Sequence, residues 1–453
     1  MTTGGKRHPT RPPPCVVLSD VVPRVGRVRI LHTSDWHLGR SLHRVGLLDA
    51  QAAFVDHLVD VVRSDRVDVV LVAGDVYDRA LPGVDVVALL DDALARLAGT
   101  GATVILTGGN HDSAARLGFG ARLLAAARVH VRTDPDRCGE PVLLDDRYGS
   151  VALYPLPYLE PALVAGRLGV AGSHQAVLGA AMDAVRADLA GRPPGTRSVV
   201  AAHAFVVGGT PSDSERDIAV GGVRSVPASV FDGVDYVALG HLHGRQQLAP
   251  NVRYSGSPLA YSFSEAAQVK GSWLVELGAH GVERADAVPA PVPRPLAVLA
   301  GDLDDLLAEP DLARHEGAWC QVTLTDPRRP PDAMARLRTR FPHTLELRFA
   351  PRGGGTTASL SYSEQLSGRG DLDVCRGFVE HVRGRAASET EVTLLRSAVE
   401  YLRRGDAEEF GAAARRLAGR RAAAAGTSPA TTTTTTTATG TAGPAEVGLE
   451  VAG

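Results

Sequence analysis

The sequence predicts a layered α/β fold on three observations. From Val28 onward, short β-rich apolar runs alternate with helical stretches in the order βαβαβ, a pattern that builds a sheet with right-handed crossovers. The runs stop abruptly in Gly, Asp, Asn and His, which sets polar groups at strand ends, where α/β sheets bind ligands. With 44% apolar residues in 453, the chain has material for about two or three domains with real cores.

Taken in order, residues 1–27 hold Pro, Arg, Gly and Thr around one short apolar patch and read as a disordered extension. Residues 28–31 predict the first strand, 47–62 a helix, 67–73 the second strand, 84–98 a helix and 102–106 the third strand. Later runs at 150–154, 198–202, 236–239 and 252–254 extend the sheet system, with a helix over 175–190 among them. One domain therefore spans 28–287. Residues 288–295 are rich in Pro and Val and read as a linker. Strand 319–325, helix 332–340 and strand 343–349 then predict a small α+β domain over 288–356, with a flexible joint, PRGGGTT, at 351–357. Two amphipathic stretches, 371–383 and 389–403, carry Val374, Phe378, Val382, Leu394, Leu395, Val399 and Leu402 at helical spacing. With little else to pack on, region 357–420 is expected either to dock on a partner or to fold back on the small domain. Residues 421–453 are Ala, Thr and Gly with a threonine run at 431–437, and read as a disordered tail.

The chemistry lies at the strand ends. Asp35 and His37 follow the first strand, Gly74-Asp75 the second, and Gly108-Gly109-Asn110-His111-Asp112 the third. His203 follows the 198–202 strand, and Gly240-His241-Leu242-His243 the 236–239 strand. A carboxylate and an imidazole two residues apart can turn toward one ion, and the ends of neighbouring strands open on one crevice. Imidazole, carboxylate and amide ligands without thiolate suit Mn, Fe or Zn better than Mg. The ligands are too many for one ion. A pair bridged by one carboxylate uses them all, and such a pair activates water for in-line attack on phosphorus. The predicted reaction is metal-assisted phosphoester hydrolysis.

Singly, each motif has an ordinary reading, since a histidine after a strand is most often a loop or core residue. Together, in this order, they argue for a site. Asp78 is read either as lining the substrate side or as capping the next turn, and His32, His43 and His57, outside the strand-end pattern, are read as structural. Cys15, Cys138, Cys320 and Cys375 are far apart and form no CxxC pair, which argues against a disulfide framework or a thiolate zinc site and for a cytoplasmic chain. No apolar run approaches the ~18 residues of a membrane span. A net charge of −3 leaves nucleic-acid binding to local patches or to metal.

At these residues the chain resembles the calcineurin-like metallophosphoesterase superfamily, whose signature runs D-x-H, G-D, G-N-H-D, H and G-H-x-H. Within it, the chain is similar to the SbcD family of nuclease subunits. That likeness rests on HTSDWHLGRSLH at 32–43, AGDVYDRALP at 73–82, SERDIAVGG at 214–222, VDYVALGHLHGRQ at 234–246 and YSGSPLAYSFSEA at 254–266. It runs from Val28 to about Arg404. The resemblance implies a metallophosphoesterase β-sandwich flanked by helices at 28–287, a capping domain at 288–356 that helps hold DNA, and helices in 357–420 that bind the coiled-coil base of the SbcC ATPase subunit.

The resemblance also implies two divalent ions, expected to be Mn. Asp35, His37, Asp75 and His243 would hold one; Asp75, Asn110, His203 and His241 would hold the other, with Asp75 bridging. His111 would face the scissile phosphate as acid or as charge stabiliser, with Asp112 orienting it and keeping it protonated. Archaeal relatives have a histidine where this chain has Asp78. Arg328, Arg329, Arg336, Arg338 and Arg340 are read as DNA-phosphate contacts or as solvated surface. The implied function is an ATP-gated 3′ to 5′ double-strand exonuclease and single-strand endonuclease, acting near the nucleoid as a homodimer within a heterotetramer. The alternatives are a phosphoesterase for a small phosphodiester or phosphoprotein, and a DNA-end-binding scaffold.

Overall fold

The computed structural model describes residues 26–216, 225–352, 370–383 and 385–404. The expected extension up to residue 25, the 217–222 part of the SERDIAVGG stretch, residues 353–357 of the joint and the tail at 421–453 lie outside the described residues. The chain divides into two units, Met1–Gly354 and Gly355–Gly453.

Two six-stranded sheets build most of the first unit. One runs, edge to edge, through Gly281–Pro289, Gly271–Gly278, Arg29–Thr33, Val69–Ala73, Thr103–Thr107 and Val129–Arg132. The other runs through Gln246–Ala249, Val252–Tyr254, Tyr236–Gly240, Arg197–His203, Gly149–Pro155 and Val142–Asp146. Arg29–Thr33, Val69–Ala73, Thr103–Thr107 and Val129–Arg132 are mutually parallel in the first sheet, and Val252–Tyr254, Tyr236–Gly240, Arg197–His203 and Gly149–Pro155 in the second, so their carboxyl ends line one edge.

Parallel strands covered on both faces read as unbroken apolar runs, and VVLVA at Val69–Ala73 is buried at every position. Alternation decides which layer each side chain joins. Val69, Leu71 and Ala73 meet Ile30, Ile105, Val199 and Ala201 between the sheets. Val70 and Val72 face outward to Phe54, Leu58, Leu90 and Leu97 of helices Leu48–Ser64 and Val84–Gly99. The second sheet is covered in the same way by Pro161–Leu168 and His174–Ala190, through Val164, Val177, Met182 and Val185. The result is helix, sheet, sheet, helix. Each fully buried Val or Leu contributes about 1.5–3 kcal/mol, enough for the core to hold strained loops at its rim.

At the far edge of the first sheet the structure departs from the sequence reading. Gly271–Gly278, antiparallel to Arg29–Thr33, forms a hairpin with Gly281–Pro289, so Val288 and Pro289, read as linker, pair with Ser272 and Gly271. A proline is tolerated there because this is the edge strand. Arg27, read as part of the extension, forms ion pairs with Glu276 and Glu283 of the hairpin.

Leu296–Gly301, Trp319–Leu324 and Thr344–Phe349 make a smaller, all-parallel sheet, backed by helices Leu303–Ala308 and Ala333–Arg340. It meets the sandwich where Leu296, Trp319 and Leu345 pack on Leu42, Leu47, Leu259 and Tyr261, and where His43 approaches Glu346 at 3.5 Å. The second unit holds the helices Asp371–Arg383 and Glu389–Arg404, close to the spans expected. Among the described residues no helix is long and apolar enough to cross a membrane.

Candidate metal centre

The strand-end loops interlock because glycine lets them. Gly74 has φ +88°, and a Cβ there would lie 2.3 Å from Nδ1 of His203. A Cβ at Gly240 would lie 1.8 Å from the Ala73 carbonyl oxygen. Only glycine allows the two sheets to approach so closely. Asp35, His37, Asp75 and His241 themselves have positive φ, at 53°, 43°, 49° and 103°. Each such residue costs about 1–2 kcal/mol, and a cluster of them marks backbone bent for function. Hydrogen bonds lock the bend: Asp35 N donates to Gly74 O at 3.1 Å, His37 N to Asp75 O at 3.0 Å and Leu38 N to Val76 O at 2.9 Å.

The bent loops bring the expected ligands together. Asp35, His37 and His243 offer donor atoms within 4.8 Å of one another, and so do Asp35, Asp75 and His203. Nε2 of His37 faces Nε2 of His243 at 3.0 Å. Nε2 of His203 lies 2.8 Å from Asn110 Oδ1 and 3.4 Å from Asp75 Oδ2. Asp75 Oδ2 also lies 3.6 Å from His37 Nε2 and 4.0 Å from His111 Nε2, in the middle of the group. The His241 ring is 5.3 Å from that of His203, and its backbone N–H donates to Asp35 at 3.0 Å. Asn110 is half-buried; the others are buried.

The electrostatics fit a cation. Burial drives the His37 imidazole well below its ordinary range and His241 down to about 3, so both rings carry the neutral lone pairs that metals bind. Burial pushes Asp35 up to about 6. Burial would also raise Asp75, yet His203 outweighs it and holds that carboxyl well below the usual range. Burial would lower His203, yet Asp75 outweighs it and raises the ring to about 9. A proton thus holds together lone pairs that a divalent ion would hold better, and Nδ1 of His37 and Nδ2 of Asn110 are buried without a hydrogen-bond partner.

Outer partners fix the rings, and several were not apparent from sequence. Nδ1 of His203 donates to Ala73 O at 3.0 Å, and Nδ1 of His243 meets Ser214 Oγ at 2.6 Å and Glu265 Oε1 at 3.3 Å. Such contacts set which nitrogen faces a metal. Glu265 is paired with Lys270, whose Nζ also donates to His243 O at 2.9 Å and Ser257 Oγ at 3.0 Å. Ser34 Oγ donates to Asp35 at 2.5 Å. The available signal was that Ser214 and Glu265 stand inside family-like stretches whose polar residues had no role.

Asp112 and His111 differ from expectation. Asp112 accepts from the backbone N–H groups of Val76, Tyr77 and Gly109 at 3.0, 2.9 and 2.9 Å, so it ties two loops together rather than orienting the His111 ring. Nδ1 of His111 instead donates to the Asp78 carbonyl oxygen at 2.7 Å. Burial lowers the His111 pKa in spite of Asp75. The Asp78 carboxylate stands beside the cluster, 3.8 Å from His37 Nδ1 and 3.7 Å from Arg40 Nε.

The remaining residues read from sequence lie outside the cluster. His32 is fully buried between Tyr236 Oη at 2.8 Å and Leu239 O at 3.2 Å, His43 packs on Phe263, and His57 lies on helix Leu48–Ser64. In the smaller domain Arg336 pairs with Asp304, Arg338 donates to Thr344 O and Arg340 pairs with Glu316. Arg329 stands over Phe349. These guanidinium groups are engaged within their own domain.

Residues 28–245 match the family model Metallophos, calcineurin-like phosphoesterase. Fold and match together define a metal-dependent phosphoesterase, a hydrolase. Residues 292–383 match a second model, SbcD_C, described as "Type 5 capsule protein repressor C-terminal domain". The two in tandem give the chain an SbcD-like architecture. Among solved structures, the crystal structure of TT1561 of Thermus thermophilus is similar at 14% identity and TM-score 0.34, covering 58% of this chain and 99% of that one. GAP50, the anchor in the inner membrane complex of Plasmodium, is similar at 10% identity and TM-score 0.32, covering 72% and 98%. At such TM-scores neither likeness bears on fold or function.

Proposed function

We propose that the chain is the nuclease subunit of an SbcCD-type complex, a two-metal DNA nuclease serving repair, recombination and replication in the cytoplasm at the nucleoid. The observation that carries this reading is the tandem of a phosphoesterase domain and an SbcD_C-type domain; a small-molecule phosphoesterase gives no reason for the second.

Asp35, His37, Asp75 and His243 would hold one divalent ion and Asp75, Asn110, His203 and His241 the other, with Mn expected at both. When bound, such a pair supplies Lewis acidity that activates water and neutralises phosphoryl charge. The chain supplies position. The left-handed residues aim the ligands inward, while Ala73 O, Ser214 and Glu265 hold the rings of His203 and His243. The Asp78 carbonyl holds Nδ1 of His111, so that Nε2 would face the scissile phosphate as the acid for the leaving oxygen or as stabiliser of the charge developing there. Cleavage would run 3′ to 5′ on duplex ends and internally on single strands, gated by ATP in an SbcC-type partner that docks on the helices within 371–404. The exposed Leu81, Val84, Phe119 and Leu123 offer apolar surface for a second copy, giving a homodimer within a heterotetramer.

The test is digestion of end-labelled duplex and single-stranded DNA by the full chain with Mn, with and without an SbcC-type ATPase and ATP. Mn-dependent cutting that His111→Ala abolishes and the partner enhances is the expected result. Intact DNA beside hydrolysis of a small phosphodiester moves the assignment to a small-substrate phosphoesterase. DNA repair that survives His111→Ala moves it to a scaffold.

A further inference from the structure

Arg40 leaves the first ligand loop directly after Leu38 and Gly39, and it stays at the centre. Its guanidinium lies 5.0 Å from the centroid of the Tyr261 ring. The same ring stands 5.5 Å from the His37 ring and 5.7 Å from the His243 ring. A permanent positive charge is therefore one aromatic ring away from two candidate metal ligands, on a side chain only 17% exposed.

The guanidinium is only partly satisfied. Nη2 donates to Ser214 O at 2.6 Å. Nε lies 3.7 Å from Asp78 Oδ1, too far for a hydrogen bond. Nη1 is buried with no hydrogen-bond partner. A buried N–H left unpaired is costly, and more so on a charged group. A cation beside a site built for cations is also repelled by what the site takes up, unless an anion comes between them. Arg40 also lines, with Asp78, Arg79, Leu38, Leu47 and Leu81, a cleft of about 390 Å³ beside the centre's first loop, within the size range of ligand pockets.

We propose that Arg40 is a substrate-contacting residue whose Nη1 donates to a non-bridging oxygen of the phosphoryl group presented to the metal centre. This rests on the reading of the centre as a phosphodiesterase and adds to it a cationic grip that no metal provides. Arginine suits the task because its planar fork can hold Ser214 O with one arm and a phosphoryl oxygen with the other.

Inorganic phosphate is the probe. The full chain and its Arg40→Gln and Arg40→Lys variants, at saturating Mn, are titrated with phosphate by calorimetry, and KM and kcat for bis(p-nitrophenyl) phosphate are measured alongside. Arg40→Gln is expected to weaken phosphate by about tenfold to a hundredfold, the worth of one charge-assisted hydrogen bond, and to raise KM. Arg40→Lys, which keeps the charge and loses the fork, falls between. Mn affinity, read by electron paramagnetic resonance, and melting temperature stay at the wild-type values. If Arg40 merely braces the Ser214 loop, Mn affinity and melting temperature fall while phosphate affinity at saturating Mn holds, and the proposal is overturned. It is equally overturned if the Mn-loaded wild type binds no phosphate. A chain that binds phosphate through Arg40 yet leaves DNA uncut keeps this inference and removes the nuclease assignment alone.

Discussion

Replacing Glu265 with Gln separates two jobs held by one carboxylate. Glu265 is 1% exposed, and its oxygens meet Lys270 Nζ and Ser214 Oγ, Ser212 Oγ at 3.0 Å, His243 Nδ1 at 3.3 Å and Tyr261 N at 3.2 Å. Burial alone would raise its pKa, yet the hydrogen bond with His243 and the charge of Lys270 outweigh burial and hold the carboxyl far below its ordinary range. Gln keeps the shape, removes the charge and leaves the buried Lys270 unpaired. Breaking a buried pair from one side costs about 3–5 kcal/mol. At about 2–4 °C per kcal/mol for a domain of this size, the metal-free chain should melt roughly 6–20 °C lower. Loosening the His243 ring should weaken Mn about 10–100-fold. Scanning calorimetry reads the first effect and Mn titration the second. In Glu265→Gln/Lys270→Met neither charge is left buried, so most of the melting temperature should return while Mn stays weak. A single variant that melts like the wild type, or a double variant that regains full Mn affinity, would show that Glu265 does not support His243.

Three further outcomes follow from the geometry. Gly74→Ala places a methyl 2.3 Å from His203 Nδ1 at φ +88°; beyond a backbone cost of about 1–2 kcal/mol, it should displace the ring, so that Mn titration registers a larger loss than thermal melting does. Asp146 accepts from Arg197 at 2.6 and 3.0 Å and from Val28 N at 3.1 Å, and these bonds outweigh burial and lower its pKa. The stability it contributes is therefore fully present above the unfolded carboxylate value of about 3.9 and is lost as pH falls through the lower folded value. Asp146→Asn should cost about 3–5 kcal/mol at neutral pH, and urea unfolding across pH should show a shallower acid decline. His32→Leu leaves Tyr236 Oη unpaired and should cost about 1–3 kcal/mol in the same assay, with Mn stoichiometry at the wild-type value.

The parallel core was legible because strands buried on both faces, such as Val69–Ala73, are unbroken apolar runs that end where chemistry begins. The ligand residues were legible for the same reason, since Asp75 and His203 each stand at the first polar break. The hairpin Gly271–Pro289 was not, because an edge strand such as Gly281–Pro289 mixes exposed Glu, Arg and Pro with its Val and Ala and loses the pattern. Glu265 and Lys270 were missed because neither stands at a strand end; they act through the His243 ring and its carbonyl, and the family-like stretch around Glu265 was the one signal. The role of Asp112 was misjudged because sequence adjacency to His111 says nothing of side-chain direction: the carboxylate turns back to the Val76 and Tyr77 amides.

The centre draws on both sheets, and this has a consequence for how the protein comes into being. His37 and His243, whose rings meet at 3.0 Å, are 206 residues apart. At about 5–20 residues per second, a ribosome needs roughly 10–40 s to travel from one to the other. Once Asn110 is made, the nascent chain presents Asp35, His37, Asp75 and Asn110 while His203, His241 and His243, which close the cluster, are still to come. A half-made copy therefore has no complete centre with which to hydrolyse phosphoesters nearby, and the hydrolase switches on only when the second sheet has docked.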